Sequence, residues 1–128
     1  MCHRLLIVDD SATTRAIIKR AIQLAHVPVE QMAEAANGKE ALLLMATTRF
    51  DLVLADLNMP EMGGLEMTRR MLADPATASV PVIVISAEPN VAMLVQMHDS
   101  GIKGYLRKPF TPEGIRNLIG PVLGVAHA

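Results

Sequence analysis

Short apolar runs alternate with longer stretches of helical periodicity along this chain. Three of the runs contain no polar residue, and such runs are typical of strands buried on both faces of a parallel sheet. They span Leu5–Val8, Leu52–Ala55 and Val82–Ile85. Two weaker strands are predicted over Gln31–Ala35 and Gly104–Arg107.

A helix is predicted after each strand. The predicted helices cover Thr13–Ala25, Lys39–Thr47, Gly64–Ala73 and Asn90–Ser100, and a fifth begins at Thr111. In the first helix we expect Ile17, Ala21 and Leu24 to form the apolar stripe. At the fifth, Thr111 is the expected N-cap because Pro112 follows it, whereas Gly120-Pro121 should end or kink this helix early.

Five strand–helix repeats predict an α/β fold. Right-handed crossovers would place helices on both faces of an open parallel sheet, which gives three layers. The length of 128 residues favours a single domain over residues 1–128. Apolar residues make up 51% of the chain and aromatic residues 2%. The core must therefore consist mainly of Leu, Ile, Val, Ala and Met.

Charge and cysteine content exclude several classes of protein. The net charge of -1 gives no indication of a nucleic-acid partner. The single cysteine, Cys2, rules out an internal disulfide and favours an intracellular protein. The first apolar run, Leu5–Val8, is too short for a signal peptide or a membrane span. We therefore expect a cytoplasmic protein with no membrane association.

Polar residues follow four of the predicted strands directly. They are Asp9 and Asp10, Asp56, Ser86 and Lys108. Ligands of open α/β sheets bind outside the carboxyl ends of the strands, so these side chains should meet at one site. Each residue alone has an ordinary explanation as a cap, loop or surface residue. The joint arrangement, with each group at its own strand end, is much harder to explain in that way.

Three adjacent carboxylates repel each other, and a bound cation would relieve that repulsion. Mg²⁺ prefers oxygen ligands, and it would also keep Asp56 ionised and nucleophilic. Lys108 and Ser86 would contact phosphate oxygen atoms. The cluster therefore predicts that Asp56 accepts a phosphoryl group as an aspartyl-phosphate.

Motifs along essentially the whole chain resemble the receiver domain of bacterial two-component response regulators, in particular the stand-alone, CheY-like chemotaxis type. The motifs are Leu5-Leu6-Ile7-Val8-Asp9-Asp10-Ser11, Asn37-Gly38-Lys39-Glu40-Ala41-Leu42, Asp56-Leu57-Asn58-Met59-Pro60, Ser86-Ala87-Glu88 and Lys108-Pro109-Phe110. This resemblance implies a flavodoxin-like fold with the parallel sheet order 2-1-3-4-5. It also implies that the phosphoryl donor is a histidine kinase or a histidine phosphotransfer protein.

The resemblance assigns roles to the site residues. Asp56 is the phosphoacceptor, and the Mg²⁺ ligands are Asp10, Asp56 and the carbonyl of Asn58, with Asp9 nearby. Lys108 binds phosphate, and the Lys108–Pro109 bond is expected to be cis.

Further positions match switch and tuning residues of the family. Ser86 and Tyr105 match the switch pair, although Tyr105 could also be a packing residue. Asn58 and Glu88 match the positions that tune loss of phosphate.

The predicted helix Asn90–Ser100 is unusually apolar. With Tyr105 it is expected to form a surface for an unknown downstream protein or for self-association, through Val91, Met93, Leu94, Met97 and Tyr105. The alternative is that much of this helix is buried core. Both a monomer and a phosphorylation-dependent dimer fit this pattern.

Two other functions remain open on the sequence. A Mg²⁺-dependent phosphohydrolase could also pass through an aspartyl-phosphate. Such enzymes usually carry the nucleophile after the first strand with a second Asp two residues on, unlike Asp9, Asp10 and Asp56 here. A docking module that is never phosphorylated is the third possibility. Only 20 residues follow Lys108, so we expect a stand-alone receiver with no output domain, unless the chain is a fragment.

Overall fold

A computed structural model describes residues 3–57, 59–86, 95, 99 and 102–124 of the chain. Five strands form one parallel sheet in the order β2-β1-β3-β4-β5. The strands are β1 (His3–Val8), β2 (Val29–Ala35), β3 (Leu52–Ala55), β4 (Val82–Ser86) and β5 (Gly104–Arg107). All five predicted strands and the predicted sheet order are therefore confirmed.

Four helices occur in the described part of the chain. They are α1 (Ala12–Leu24), α2 (Gly38–Met45), α3 (Gly64–Ala73) and α4 (Pro112–Leu123). Each one follows a strand, as predicted. Of the predicted helix Asn90–Ser100, only Val95 and Asp99 lie within the described residues.

The three central strands, β1, β3 and β4, are buried on both faces over their apolar runs, which explains why those runs are continuously apolar. Successive residues of β1 point to opposite faces: Leu5 and Ile7 pack with α1 and α4, whereas Leu6 and Val8 pack with α2 and α3. This arrangement confirms the three-layer α/β sandwich. The buried side chains are almost all aliphatic or methionine, with Phe50 as the one buried aromatic among the described residues.

Side-chain caps fix where three of the helices begin. Ser11 accepts a hydrogen bond from the Thr14 amide at the start of α1, and Asn37 accepts one from Glu40 at the start of α2. Thr111 caps α4 by accepting from the Gly114 amide, as the sequence predicted. A cap of this kind contributes about 1 kcal/mol to stability.

The predicted stripe of α1 is confirmed at Ala21 but wrong at Ile17 and Leu24, because the buried face is rotated about the helix axis. Its buried residues are Ile18, Ala21 and Ile22, whereas Ile17 and Leu24 are 55% and 49% exposed. Apolar residues lie on both sides of the stripe, so their spacing alone could not select the face that meets the sheet. The two exposed side chains instead line an open groove of about 400 Å³ beside Phe110 and Pro112.

Gly120-Pro121 was predicted to end or kink the last helix early, and the early end is wrong. Helix α4 continues to Leu123 and ends at Gly124, whose φ of 75° is left-handed. Pro121 lies in the final turn, where the missing N–H removes a single helical hydrogen bond. Val122 and Leu123 pack against the core beyond it, which favours continuation of the helix.

None of the helices in the described ranges is both long enough and apolar enough to cross a lipid bilayer.

Candidate functional site

Three carboxylates and one ammonium group meet at the carboxyl ends of β1, β3 and β5. Asp9 and Asp10 follow β1, Asp56 follows β3, and Lys108 follows β5. One oxygen atom from each of the three aspartates lies within 4.8 Å of the others. The Lys108 ammonium is 3.3 Å from Asp9 Oδ2 and 3.6 Å from Asp56 Oδ2. The structure therefore brings these four predicted residues together.

Asp9 is fixed at every polar atom. Its amide donates to the carbonyl of Ala35 on β2 at 3.1 Å. Its carboxylate accepts from the Ser11 amide at 2.9 Å and from Lys108. Asp9 is 2% exposed, and this burial raises the pKa of its carboxyl, although the bonds from Ser11 and Lys108 oppose the rise.

Asp10 and Asp56 have different surroundings from Asp9. Asp10 is exposed and makes no hydrogen bond or ion pair among the residues that the structure describes. The Asp56 side chain is 15% exposed, and its amide donates to the carbonyl of Val8 at 3.0 Å. Asp10 therefore offers an accessible carboxylate, whereas Asp56 lies deeper in the cleft.

The loop after Asp56 is packed too closely for side chains. A Cβ atom on Gly64 would lie 2.5 Å from the carbonyl oxygen of Asp56, and one on Gly63 would lie 2.4 Å from that of Leu57. Such distances are incompatible with the packing of a Cβ atom, and the obstructing atoms are backbone. The two glycines thus allow α3 to start directly against the Asp56 peptide.

Ser86 and Tyr105 are linked through one carbonyl oxygen. The Tyr105 hydroxyl donates to the carbonyl of Ser86 at 2.9 Å, and the Lys108 amide donates to the same oxygen at 3.0 Å. Ser86 is buried at the end of β4. The β3–β4 register pairs Ala55 with Val84, so Ser86 lies beside the end of β3 that carries Asp56.

The remaining sequence predictions have separate outcomes. The Lys108–Pro109 peptide bond is cis, as expected. Six predicted residues lie outside the described part of the chain: Asn58, Glu88, Val91, Met93, Leu94 and Met97.

Sequence reasoning missed two residues beside the site, Arg15 and Glu34. Arg15 donates to the carbonyl of Asp9 through Nη1 and to Glu34 Oε1 through Nε. The hydrogen bond from Arg15 is the main reason that the pKa of Glu34 is lowered. Strand pairing could have revealed the contact, because Glu34 precedes Ala35, the partner of Val8 in the sheet.

The donor set fits a hard divalent cation. Mg²⁺ binds oxygen at about 2.0–2.1 Å, so ligands on opposite sides of the ion are roughly 4.2 Å apart. The carboxylate oxygens lie within 4.8 Å of one another, which is close to that spacing. The single lysine neutralises only one of the three carboxylate charges, so the cluster stays anionic.

Comparison with known proteins agrees with this geometry. Residues 5–120 match the response regulator receiver domain family. Chemotaxis protein CheY1 of Helicobacter pylori is 37% identical over 122 residues, which cover 94% of this chain and 97% of that protein. Chemotaxis protein CheY of Pseudomonas aeruginosa is 34% identical over 91% of this chain and 92% of its own length.

A solved structure gives the same result for the fold. The chemotaxis protein CheY4 of Vibrio cholerae superposes with a TM-score of 0.85 at 29% identity, over 95% of this chain and 99% of that one. The family match covers most of the chain. The matched residues include the strand ends that carry the clustered aspartates. This chain therefore belongs to the response regulator receiver domain family.

Proposed function

We propose that this protein accepts a phosphoryl group on Asp56 from a phosphohistidine of a histidine kinase or histidine phosphotransfer protein. The observation that carries the proposal is the grouping of three carboxylates with Lys108 around the carboxyl ends of the strands. Bringing these charges together costs free energy through repulsion and desolvation, and binding a cation and an anionic phosphoryl group would offset that cost. Family membership supports the same role.

In the proposed reaction, a carboxylate oxygen of Asp56 attacks the phosphorus atom. The phosphorus–nitrogen bond of the phosphohistidine breaks, and the imidazole leaves with the electron pair and takes up a proton. Lys108, 3.6 Å from Asp56 Oδ2, is placed to neutralise charge on the phosphoryl oxygen atoms. The buried Ser86 would donate its hydroxyl to one of those oxygens.

Asp10 and Asp56 would hold Mg²⁺, with the Asn58 carbonyl as a further ligand and Asp9 beside them. The ion would supply positive charge against the transferred phosphoryl group. Asn58 and Glu88 are proposed to tune how fast the phosphoryl group is lost. The protein would thus assist its own phosphorylation and dephosphorylation without being a multiple-turnover enzyme.

The output of the proposed switch is a protein–protein contact. Tyr105 already bonds to the Ser86 carbonyl, so a movement of Ser86 toward the phosphoryl group would reach Tyr105 directly. Phosphorylation can then shift an existing equilibrium between two arrangements. Similarity to chemotaxis proteins suggests chemotaxis in the cytoplasm as the process. A surface of Val91, Met93, Leu94, Met97 and Tyr105 is the proposed contact.

Labelling with a small phosphodonor tests the proposal. We expect the wild-type protein, incubated with acetyl phosphate and MgCl₂, to gain the mass of one phosphoryl group in an acid-labile form. Asp56→Asn should abolish this gain. Asp51→Asn is the matched control because Asp51 lies just before β3, at the opposite end of the same strand, and it should be labelled like wild type.

Three outcomes would contradict the proposal. Labelling that survives Asp56→Asn would show that Asp56 is not the acceptor. Repeated turnover of a small phosphate ester would instead favour the phosphohydrolase. A protein that binds no Mg²⁺ and takes no label would correspond to the unphosphorylated docking module.

A further inference from the structure

The side chain of Arg15 joins helix α1 to the ends of two strands. Its Nη1 donates to the main-chain carbonyl of Asp9, and its Nε donates to Glu34 Oε1 at 3.0 Å. The guanidinium group is largely buried, with the side chain 17% exposed. The planar fork of the guanidinium suits two simultaneous acceptors in fixed directions.

The hydrogen bond to the Asp9 carbonyl matters because of the position of this carbonyl in the main chain. This carbonyl belongs to the peptide plane that connects Asp9 to Asp10. A hydrogen bond to its oxygen therefore fixes the orientation of that plane and the direction in which the Asp10 Cα leaves it. The other end of Asp9 is held by Ala35 and Ser11, so Arg15 completes the support of this turn.

Asp10 has no comparable support of its own. Its side chain is exposed and without a hydrogen bond or ion pair to any described residue. Its placement among the clustered carboxylates thus depends on the peptide plane before it. Glu34 in turn accepts a hydrogen bond from Arg15. Lys19 donates to the second oxygen of Glu34 at 3.2 Å but makes no bond to Asp9 or Asp10.

We propose that Arg15, held by Glu34, is a positioning residue that orients the Asp9–Asp10 peptide so that the Asp10 carboxylate faces the cation site. The inference rests on the proposed function, since it concerns the same cation. Residues that orient metal ligands typically change metal affinity by about 10- to 100-fold when they are lost. Arg15 contacts no carboxylate of the cluster, so its effect would pass through the main chain.

The sign of the effect separates positioning from simple electrostatics. Arg15→Met removes a positive charge close to a cation site, which by Coulomb attraction alone would strengthen Mg²⁺ binding. A positioning role predicts the opposite, a weakening of about 10- to 100-fold. Lys19→Met is the matched control because it removes a charge from the same helix and the same Glu34 but leaves the Asp9 carbonyl bonded.

The experiment measures Mg²⁺ affinity by titration calorimetry for wild type, Arg15→Met, Arg15→Lys and Lys19→Met. Amide chemical shifts of the metal-free proteins are compared in parallel by NMR. We expect weakened binding in Arg15→Met, with shifts concentrated at Asp10, and wild-type affinity in Lys19→Met. Arg15→Lys keeps the charge without the fork, so it should recover only part of the affinity and serves if the Met variant does not fold.

The outcomes distinguish this inference from the proposed function. Unchanged or tighter Mg²⁺ binding in Arg15→Met, with wild type binding normally, overturns the positioning role alone. Equal losses in Arg15→Met and Lys19→Met also overturn it, because they indicate a general effect of charge or stability. Failure of wild type to bind Mg²⁺ or accept phosphoryl overturns the proposed function, and this inference falls with it.

Discussion

The three aspartates of the site share a side chain but not an environment. Asp9 is buried and bonded through its amide, carbonyl and carboxylate. Asp10 is exposed, and Asp56 lies between these extremes. The differences suit the division of roles in the proposed function, in which Asp9 would hold the turn and Lys108, Asp10 would present a ligand, and Asp56 would react.

The burial of Asp9 leads to a prediction about pH. Burial raises its pKa above the ordinary value of 3.8, so the folded protein binds this proton more tightly than the unfolded chain. Its contribution to stability is therefore fully present below the unfolded pKa and is lost as pH rises through the folded pKa. We expect Asp9→Asn to be more stable than wild type at neutral pH in EDTA, with the difference narrowing toward pH 3.8.

Urea unfolding at a series of pH values measures this difference directly. Glu34 affects the pH dependence in the opposite sense. Its pKa is lowered in the folded protein, so its contribution to stability is present at higher pH and is lost on acidification. This contribution is present in both proteins and cancels from the comparison. A variant less stable than wild type at every pH would mean that the Ser11 and Lys108 bonds outweigh the burial of Asp9.

At the scale of elements, α1 is the helix with the least obvious orientation. Ile18 and Ile22 face the core beneath the sheet, and Ile17 lies in the groove beside Phe110. Neighbouring isoleucines on one helix thus differ in how much surface they bury. The effect of burial can therefore be measured by making the same substitution at two positions of one helix.

We expect Ile18→Ala and Ile17→Ala to have very different costs. Ile18 is 2% exposed, so truncation should lower the free energy of unfolding by about 2–5 kcal/mol through lost burial and a cavity. Ile17 is 55% exposed, and its truncation should cost less than about 1 kcal/mol. Chemical denaturation of the pair measures both values, and similar costs would restore the stripe predicted from the sequence.

The sequence predicted those elements whose signals are local. Unbroken apolar runs located the strands, and the Thr111-Pro112 pair located the start of α4. The rotation of α1 and the end of α4 were missed, because each depends on packing between elements. Arg15 was missed for the same reason: its partners, the Asp9 carbonyl and Glu34, come together through strand pairing.

At the scale of the whole molecule, the site exists through the topology of the sheet. Lys108 and Asp9 are 99 positions apart in sequence, yet their side chains are 3.3 Å apart. In the unfolded chain these groups are far apart, because only the folded sheet brings them together. A cation that binds the cluster must therefore stabilise the folded state selectively.

We expect MgCl₂ to raise the melting temperature of the wild-type protein. At a concentration of roughly 100 times Kd, the stabilisation is about 2.7 kcal/mol for a single site. Asp10→Ala should lose most of this gain, and NaCl at the same ionic strength is the control for screening. Differential scanning calorimetry measures the shift. An equal response of wild type and Asp10→Ala would place the ion elsewhere.

The packing of Gly64 against Asp56 limits how the carboxylate of the proposed phosphoacceptor can be oriented. The Asp56 amide donates to the Val8 carbonyl, and the Asp56 carbonyl oxygen lies so close to Gly64 that a Cβ atom there would be 2.5 Å from it. The main chain of Asp56 is thus bonded at its amide and closely packed at its carbonyl, so the direction of its carboxylate depends mainly on the two side-chain torsions. Little main-chain conformational entropy would then be left to lose when the carboxylate lines up with an incoming group. Much of the orientational cost of the proposed in-line attack would thus be met in advance, when the chain folds.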